Sequence, residues 1–362
     1  MLLNSFMMSK LLISCATLGH GGAERVLSIL SRAFADNYDE VIYLMWLKDE
    51  VFYEIDPRVR LVFLPDISGH NNRYREILSF RKFVKKENPD LILSFLTPFN
   101  MLVQVATIGL GIKTVVCERN DPHYVPGGKI MEMLRDFTYL WADGILAQTD
   151  YSRECYKGRL RKKTSVIYNP VMMTEDNVGS ALTTKKQDRI ISVGRLHPQK
   201  NQKMMIDAFS LFLVTHPTYE LLIYGEGPLK QELIEYCKKR EVSGSVKFMG
   251  HSNQVWEEIK KSKVFVLSSI AEGMSNALIE SMCLGMPVVS TKVAGAVDLI
   301  KDGENGYLVD LNDSETMSER LSRITDDENL SKNLGTEASR LYLILNEKTI
   351  CNQWIDYIMK NI

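Results

Sequence analysis

Residues Ser268 to Ser290 read SSIAEGMSNALIESMCLGMPVVS. With the residues before it, this stretch has the pattern of a strand, a loop and a helix, and that pattern is repeated along the chain. The apolar run that precedes it, Val264 to Leu267, is short and bounded by polar residues, which predicts a buried strand. Ser275 and Asn276 are N-cap residue types that predict the start of a helix, and the Gly and Pro of the LGMP segment predict its end. The stretch is therefore the strand–loop–helix unit of an open α/β sheet, where phosphorylated ligands commonly bind.

Two carboxylates lie within this unit, Glu272 in the loop and Glu280 in the helix. A loop that leaves a parallel strand is held by a rigid sheet and often carries binding residues. A solvated loop residue and an exposed helix residue would explain the two glutamates equally well. Their spacing alone leaves both interpretations open.

Short strand-like runs alternate with helix-like segments in both halves of the chain, which predicts two mostly parallel sheets. The alternation stops once, in the polar segment from Asn169 to Gln187, which begins with Asn-Pro. The sequence thus predicts an α/β protein with two Rossmann-like domains facing across a cleft. We expect a first domain over 1–170, a linker over 171–187, a second domain over 188–345, and a C-terminal helix over 346–362 that packs back toward the first domain.

Bulk composition excludes several classes of protein. The chain has 362 residues, 45% hydrophobic and 25% charged, as expected for a globular protein of two domains. Its 44 Lys and Arg balance 45 Asp and Glu, so a nucleic-acid partner bound through net charge is not expected. The six cysteines form no C-x-x-C and suggest free thiols in a reducing compartment rather than a zinc site.

The N-terminus resembles a signal peptide only superficially, because its first basic residue, Lys10, follows the apolar start. We expect a short tail followed by a strand from Lys10 to Cys15. No apolar stretch reaches the roughly 20 residues that span a bilayer. The expected location is the cytoplasm, with peripheral attachment to a membrane left open.

Two loops have residues suited to binding phosphate groups. Gly21 and Gly22 follow the first strand and lead into a helix, where backbone N–H groups and the helix dipole favour an anion. The motif is not G-x-G-x-x-G, which disfavours a dehydrogenase, and an ordinary turn remains an alternative. Gly194 permits a tight turn in the second half, from which Arg195 and Lys200 can converge on one anion.

A third loop, Glu118-Arg119-Asn120, places charged and amide groups at a strand exit, as in a binding loop, although Asn-Asp-Pro is also ordinary turn chemistry. Two segments, Arg73 to Lys86 and Lys157 to Lys163, interleave basic and apolar residues. They suit an anionic membrane surface or a solvated helix packed on a sheet.

With these residues in view, the chain resembles the retaining glycosyltransferases of family 4, which have the GT-B architecture. Six motifs carry the resemblance, in family order over nearly the whole chain: GGAER (Gly21 to Arg25), SVGRLHPQKN (Ser192 to Asn201), IYGEGPL (Ile223 to Leu229), VKFMGH (Val246 to His251), EGMSNALIESMCLGMPVVS (Glu272 to Ser290) and DGENGYLV (Asp302 to Val309).

The resemblance implies a nucleotide-sugar donor, with a UDP-sugar expected, bound by the second domain. Arg195 and Lys200 would neutralise its diphosphate, Glu280 would bind the ribose, and Glu272 would bind hydroxyls of the transferred sugar. The backbone N–H groups of Met274, Ser275 and Asn276 would bind the sugar and the phosphate. The base would lie near His251. The chain has no D-x-D motif, so neither a metal nor another cofactor is expected.

One position departs from the family pattern, because many relatives have histidine where this chain has Arg119. An arginine cannot act as a general base, although it can bind phosphate or acceptor. The ERNDP segment resembles relatives that build bacterial capsule, O-antigen or other lipid-linked glycans. This implies a polyprenyl-diphosphate-linked acceptor, for which Glu118, Arg119 and Asn120 would form an N-domain site, and it gives the basic segments a role at the inner face of the membrane.

Two other functions share this architecture. A sugar-nucleotide 2-epimerase would act on the donor without any acceptor, and a non-catalytic sugar-nucleotide-binding subunit would bind the donor without transfer. The sequence specifies neither the sugar, the linkage, the acceptor nor the oligomeric state.

Overall fold

The alternation of strands and helices is present in the structure, a computed structural model that describes residues 10–68, 72–252 and 254–361. The tail expected before Lys10 lies outside the described residues. The chain divides into two compact units, which are described separately below.

Unit 1 comprises residues 1–170 and 347–362 and contains a seven-stranded parallel sheet in the order β3-β2-β1-β4-β5-β6-β7. The strands are β1 Lys10–Cys15, β2 Glu40–Met45, β3 Arg60–Phe63, β4 Leu91–Phe95, β5 Lys113–Cys117, β6 Gly144–Ala147 and β7 Thr164–Val166. Helices cover the sheet, which explains why the central strands are almost uniformly apolar. The direction of chain winding reverses between β1 and β4, at the centre of the sheet.

The helices of unit 1 connect these strands. They are α1 Gly22–Asn37, α2 Leu64–Ser68, α3 Arg73–Glu87, α4 Thr97–Thr107, α5 Lys129–Tyr139, α6 Asp150–Cys155, α7 Gly158–Lys162 and, at the end of the chain, α16 Glu347–Asn361. Helix α16 contacts α1 and brings Trp354 into the interior. The Trp354 ring stacks on Phe95 at 5.9 Å between ring centroids and meets Phe34 edge-on at 6.2 Å.

Unit 2 comprises residues 171–346 and contains a six-stranded parallel sheet in the order β10-β9-β8-β11-β12-β13. Its strands are β8 Arg189–Val193, β9 Glu220–Tyr224, β10 Val246–Gly250, β11 Val264–Leu267, β12 Val288–Thr291 and β13 Tyr307–Val309. Its helices are α8 Gln202–Leu213, α9 Lys230–Lys239, α10 Val255–Lys261, α11 Asn276–Cys283, α12 Ala294–Leu299, α13 Ser314–Asp326, α14 Glu328–Ser339 and α15 Tyr342–Leu345.

Several helices begin at a polar side chain that accepts a backbone N–H from the first turn, as the N-cap rule predicts. These side chains are Asn72 before α3, Thr149 before α6, Ser275 before α11, Asp313 before α13 and Asp327 before α14.

The segment 171–187, expected to be a linker, belongs to unit 2 and packs on it. It forms two short 3₁₀ turns, Glu175–Asn177 and Ser180–Leu182. The N–H groups of Gly179 and Ala181 donate to the carbonyl oxygens of Cys283 and Leu284 at 3.0 and 2.8 Å. Backbone hydrogen bonds at the end of α11 therefore fix a segment whose composition alone indicates a loop.

Within the described ranges, no helix is long and apolar enough to cross a bilayer.

Candidate functional site

The loops that follow β8 and β11 lie side by side in unit 2. The two strands pair in parallel at the centre of the sheet, with Ile190 opposite Val264, and the chain reverses its winding direction between them. Loops that leave the carboxyl ends of two such strands diverge and leave a crevice, which is where open α/β sheets bind ligands. The strand order therefore brings together two sequence motifs that are far apart along the chain.

Lys200 and Glu272 form an ion pair at the centre of this crevice, and Lys200 Nζ donates a hydrogen bond to the Glu272 carboxylate. Ser269 Oγ donates to the same carboxylate oxygen at 2.7 Å. Both charged side chains are largely shielded from solvent, so the pair is electrostatically stronger than a surface ion pair. Arg195, at the start of the same loop as Lys200, is exposed.

Hydrogen bonds connect the two loops to each other and to the end of β12. The Ile270 N–H donates to the Gln199 carbonyl at 2.8 Å, and Gln199 Nε2 donates to the Ala271 carbonyl at 2.7 Å. Thr291 Oγ1, at the end of β12, donates to the Ser269 carbonyl at 2.6 Å. Lys200 and Glu272 are thus held by a rigid frame rather than by flexible loops.

Helix α11 begins where the sequence predicts. Ser275 Oγ accepts the Leu278 N–H at 3.4 Å and so caps the N-terminus of α11, which follows the loop of Glu272. Met274 and Ser275 are buried, and Asn276 is partly buried. Glu280 is buried on the second turn, where its carboxylate accepts a hydrogen bond from Trp256 Nε1 at 2.8 Å.

Two glycines allow unusually close contacts around these loops. Gly225 has a φ of +130°, and a Cβ there would collide with the Gly194 carbonyl oxygen. Gly295 packs directly against the loop after β11, where an added Cβ would lie 2.8 Å from Met274 Cα and 2.9 Å from the Gly273 carbonyl oxygen. Only glycine fits at these two positions without moving backbone.

For the sugar transfer that the resemblance implies, we expect Gly295→Ala to lower kcat/KM by roughly ten- to a hundredfold, because displacement of a positioning loop by about 1 Å costs rates of this order. The measurement is initial-rate kinetics on the folded variant, with thermal unfolding to confirm that the fold is retained. Gly244→Ala is the matched control, since a Cβ at Gly244 meets open space. Equal loss of activity in both variants would contradict the role given to the loop position.

Two further residues with expected donor contacts, Gly194 and His251, lie at the exits of β8 and β10. Gly194 follows β8 directly, and a Cβ added to it would lie 3.4 Å from Lys200 Cε. His251 is exposed at the exit of β10, two strands from β8 in the sheet order. The donor-binding roles of both remain predictions.

Gly21 and Gly22 lie in unit 1, at the junction of β1 and α1. Gly21 is the N-cap residue of α1. The Glu24 carboxylate folds back over Gly21 and would collide with any Cβ there, and Thr17 Oγ1 donates to it at 3.3 Å. A carboxylate from the first turn of α1 therefore already lies at the position where the sequence predicts a phosphate.

Glu118 lies in the interior of unit 1, with 1% of its surface exposed. Its carboxylate accepts hydrogen bonds from Thr97 Oγ1 at 2.6 Å, from the Tyr139 hydroxyl at 3.0 Å and from the Tyr156 hydroxyl at 3.4 Å. Burial raises the pKa of Glu118, although the hydrogen bonds from Thr97 and Tyr139 and the charge of Arg135 oppose the shift. These internal contacts favour a structural role for Glu118 over contact with an acceptor.

Arg119 is also buried, with 7% of its surface exposed. Its guanidinium lies 5.1 Å from the ring centroids of both Phe95 and Trp354, and Nη1 donates to Asn169 Oδ1 at 3.2 Å. Burial lowers the pKa of Arg119 to about 10, so it stays charged at neutral pH. Over the part of the chain that the structure describes, its Nε and Nη2 have no hydrogen-bond partner. The three N–H bonds on these two nitrogens thus remain for a bound group or water. The backbone N–H of neighbouring Asn120 donates to Glu118.

The structure brings the candidate residues of unit 2 other than His251 together around the exits of β8 and β11. His251 lies at the exit of β10, and the other candidates belong to unit 1. The structure also adds Ser269 and Trp256, which sequence reasoning missed. Ser269 lies three residues before Glu272, and a hydroxyl at that spacing was a usable signal. Trp256 gave none, because it lies on a different helix, 24 residues before Glu280.

No group of three or more His, Cys, Asp or Glu side chains is placed to hold a metal ion in the described ranges, and the expectation of a metal-independent site remains a prediction.

Two family models match consecutive parts of the chain. Residues 20–174 match "Glycosyltransferase Family 4" and residues 174–341 match "Glycosyl transferases group 1". Their junction falls at the start of unit 2.

Two bacterial enzymes are similar along most of their length. One is the Campylobacter jejuni GalNAc-α-(1→4)-GalNAc-α-(1→3)-diNAcBac-PP-undecaprenol α-1,4-N-acetyl-D-galactosaminyltransferase, which is 30% identical over 97% of this chain and 98% of its own. The other is the Escherichia coli UDP-Gal:α-D-GlcNAc-diphosphoundecaprenol α-1,3-galactosyltransferase, which is 26% identical over 76% of this chain and 78% of its own.

Solved structures share the fold. Anabaena HepE, crystallised with UDP and glucose, superposes with a TM-score of 0.81 at 17% identity, covering 97% of this chain and 100% of its own. S. aureus TarM superposes with a TM-score of 0.80 at 13% identity, covering 96% and 99%. The two parallel sheets and these likenesses confirm the predicted GT-B fold class. With a relative at 30% identity over nearly its whole length, the chain belongs to the group 1 glycosyltransferases with a family 4-type N-terminal domain.

Proposed function

We propose that the protein transfers a sugar, with retention of anomeric configuration, from a UDP-sugar to a saccharide carried on a polyprenyl diphosphate. The observation that carries this proposal is the pairing of Lys200 with Glu272 at the centre of the crevice, on the loop that also carries Arg195. A cation and a carboxylate held together at the exits of β8 and β11 suit a ligand with both a diphosphate and a hydroxylated ring.

The leaving group in this reaction is a nucleoside diphosphate, and its negative charge grows as the glycosidic bond breaks. Lys200 and Arg195 would stabilise that charge, together with the N–H groups of Met274, Ser275 and Asn276 at the start of α11. Cations from the protein would supply this stabilisation without a metal, so we expect chelators to leave the activity unchanged.

The two glutamates would hold the donor rather than serve as an acid and base pair. Glu272, fixed by Ser269, would accept hydrogen bonds from hydroxyls of the transferred sugar. Glu280, fixed by Trp256, would accept them from the ribose. Retention would then follow if the acceptor hydroxyl attacks from the face that the diphosphate leaves, with the leaving phosphate accepting its proton.

The relatives support the choice of donor and acceptor. The C. jejuni relative is named for an N-acetylgalactosaminyl transfer to a PP-undecaprenol saccharide, and the E. coli relative for transfer from UDP-Gal to a diphosphoundecaprenol sugar. We therefore place UDP-N-acetylgalactosamine first among the donors, and a hexosyl or other N-acetylhexosaminyl group next. Bacterial surface polysaccharide synthesis, such as that of capsule or O-antigen, is the proposed setting.

A polyprenyl-linked acceptor implies that the protein acts at the inner face of the cell membrane. Helices α3 and α7 carry the basic segments that the sequence associates with anionic lipid. We propose peripheral association through these charges, which salt should weaken because exposed charges are screened.

The test is a transfer assay that pairs UDP- and GDP-sugars with synthetic polyprenyl-diphosphate saccharides, with products identified by mass and anomeric configuration by NMR. We expect an α-linked product from one UDP-sugar, with and without EDTA. The same donors incubated without acceptor test the epimerase alternative. An epimerised donor, or donor binding without transfer to any acceptor, would overturn the proposal.

A further inference from the structure

Helix α5 of unit 1 turns its more apolar side to solvent. The exposed positions recur at helical spacing, with Ile130 75% exposed, Met133 72% exposed and Phe137 56% exposed. The buried side carries Thr138, Tyr139 and the cation of Arg135. Tyr139 belongs to a hydrophobic cluster that includes Val116 and Ile145 of the sheet. An amphipathic helix on a globular protein normally has the reverse orientation.

The apolar surface continues beyond α5. Trp141 and Leu140, just after the helix, are exposed, and the Trp141 ring meets Phe137 edge-on at 4.9 Å between centroids. Val105 and Ile108, on and just after the neighbouring α4, are exposed as well. We call this surface the α4–α5 face, defined by Val105, Ile108, Ile130, Met133, Phe137 and Trp141. Ile108 and Trp141 line one cavity, which connects the end of α4 with the segment after α5. An exposed apolar surface of this kind marks an interaction site.

The two basic segments lie on either side of this face. Successive crossovers from β3 through β7 move across the sheet in one direction, so the right-handed rule places α3, α4, α5 and α7 on one side of it. Helix α4 packs between α3 and α5. Arg81 of α3 donates to the carbonyl oxygens of Ala106 and Ile108 at 2.7 and 2.8 Å, which ties α3 to the end of α4.

The segment after α7 is tied to α5 in the same way. Lys163 Nζ donates to the carbonyl oxygens of Tyr139 and Ala142 at 2.6 and 2.7 Å. Lys157, Arg159 and Lys162 are exposed beside this contact. The apolar face thus has exposed lysines and arginines on both flanks.

We infer that the α4–α5 face inserts into the interfacial region of an anionic lipid bilayer, with α3 and α7 binding the lipid headgroups. Apolar side chains flanked by Lys and Arg, with a Trp among them, are the features by which a helix lies in the plane of a membrane surface. The flanking positive charge favours anionic lipid over a second copy of this nearly neutral chain. The inference rests on the proposed lipid-linked acceptor and names the surface that would bring the protein to it.

The test is flotation with vesicles that contain phosphatidylglycerol, compared with pure phosphatidylcholine. We expect wild type to bind the anionic vesicles, and Ile130→Ser/Met133→Ser to bind on the order of tenfold more weakly. The matched control is Val214→Ser/Leu343→Ser, which removes two side chains of unit 2 that are 80% and 72% exposed and should bind as wild type.

Trp141 supplies an independent readout, because Trp46 and Trp354 are buried and Trp256 lies in unit 2. Lipids brominated in their acyl chains should quench part of the fluorescence of bound wild type, and Trp141→Phe should abolish that quenching. Absence of quenching, or equal binding by Ile130→Ser/Met133→Ser and wild type, would overturn the inference. The inference would also be overturned if wild type formed a dimer in solution that Ile130→Ser/Met133→Ser disrupts, and if wild type did not bind vesicles.

Transfer to a short, water-soluble diphosphate-linked acceptor separates this inference from the proposed function. Ile130→Ser/Met133→Ser should match wild type there and be slower with acceptor embedded in vesicles. If wild type transfers sugar to the soluble acceptor but does not bind vesicles, only the inference about the α4–α5 face is overturned. Absence of transfer to either acceptor would instead overturn the proposed function.

Discussion

Lys200→Met is expected to lower kcat by a factor of about 10² to 10³, the range found when a single group that stabilises a charged transition state is removed. The methionine side chain keeps most of the volume of lysine but cannot neutralise the leaving diphosphate. It also leaves the Glu272 carboxylate without its cation, in a site where that carboxylate is largely shielded from solvent. The measurement is steady-state kinetics with the donor that the transfer assay identifies.

A second lysine provides the control. Lys203 lies on the first turn of α8, pairs with Glu232 and is about half exposed, so Lys203→Met should retain wild-type rates. The double variant Lys200→Met/Glu272→Gln separates two effects of the ion pair. It should recover any thermal stability lost by Lys200→Met and remain inactive. Recovery of activity in the double variant would show that the pair serves the fold rather than the reaction.

Glu118→Ala is expected to lower the free energy of unfolding of unit 1 by about 3 kcal/mol or more, because it leaves several buried hydroxyl groups without an acceptor. Those hydroxyls belong to Thr97, Tyr139 and Tyr156. Hydrogen exchange of unit 1 amides in urea is the suitable measurement, since a chain of two units need not unfold in one step. Glu50→Ala, at an exposed position, should stay within about 0.5 kcal/mol of wild type.

The pH dependence of Glu118→Gln tests the same buried carboxyl. Because burial raises the pKa of Glu118 in the folded protein, the folded state holds this proton more tightly than the unfolded state. Wild type therefore loses stability as the pH rises from the ordinary value of 4.5 through the raised pKa, and the glutamine variant does not. The stability of Glu118→Gln relative to wild type should improve over that range. If the variant instead lost transfer at unchanged stability, Glu118 would be an acceptor-binding residue.

The strands of both sheets were predictable because each is a short apolar run bounded by turn residues. Val264–Leu267 and Lys10–Cys15 are strands with the bounds that the sequence predicts. Ser275 was recognisable as an N-cap for a local reason, since its hydroxyl bonds an N–H three residues later. Such signals depend on neighbours in the sequence and need no knowledge of the fold.

The orientation of α5 and the environment of Glu118 could not be predicted in this way. Helical spacing in Lys129–Tyr139 identifies a helix with an apolar side, but not whether that side meets the sheet or solvent. A glutamate at a strand exit resembles a binding residue until the fold places Thr97 and two tyrosines against it. Both outcomes depend on which distant elements pack there.

The sequence by itself determined the α/β class, the succession of two parallel sheets and the motifs of a glycosyltransferase, because strand periodicity, turn chemistry and motif spacing are local properties. Only the tertiary structure decided which motifs meet. Pairing of β8 with β11 places Lys200 against Glu272 across 72 residues of chain, and packing of α10 places Trp256 on Glu280. Strand order is set by the burial of whole sheets and helices, a property of the complete chain that no single stretch contains.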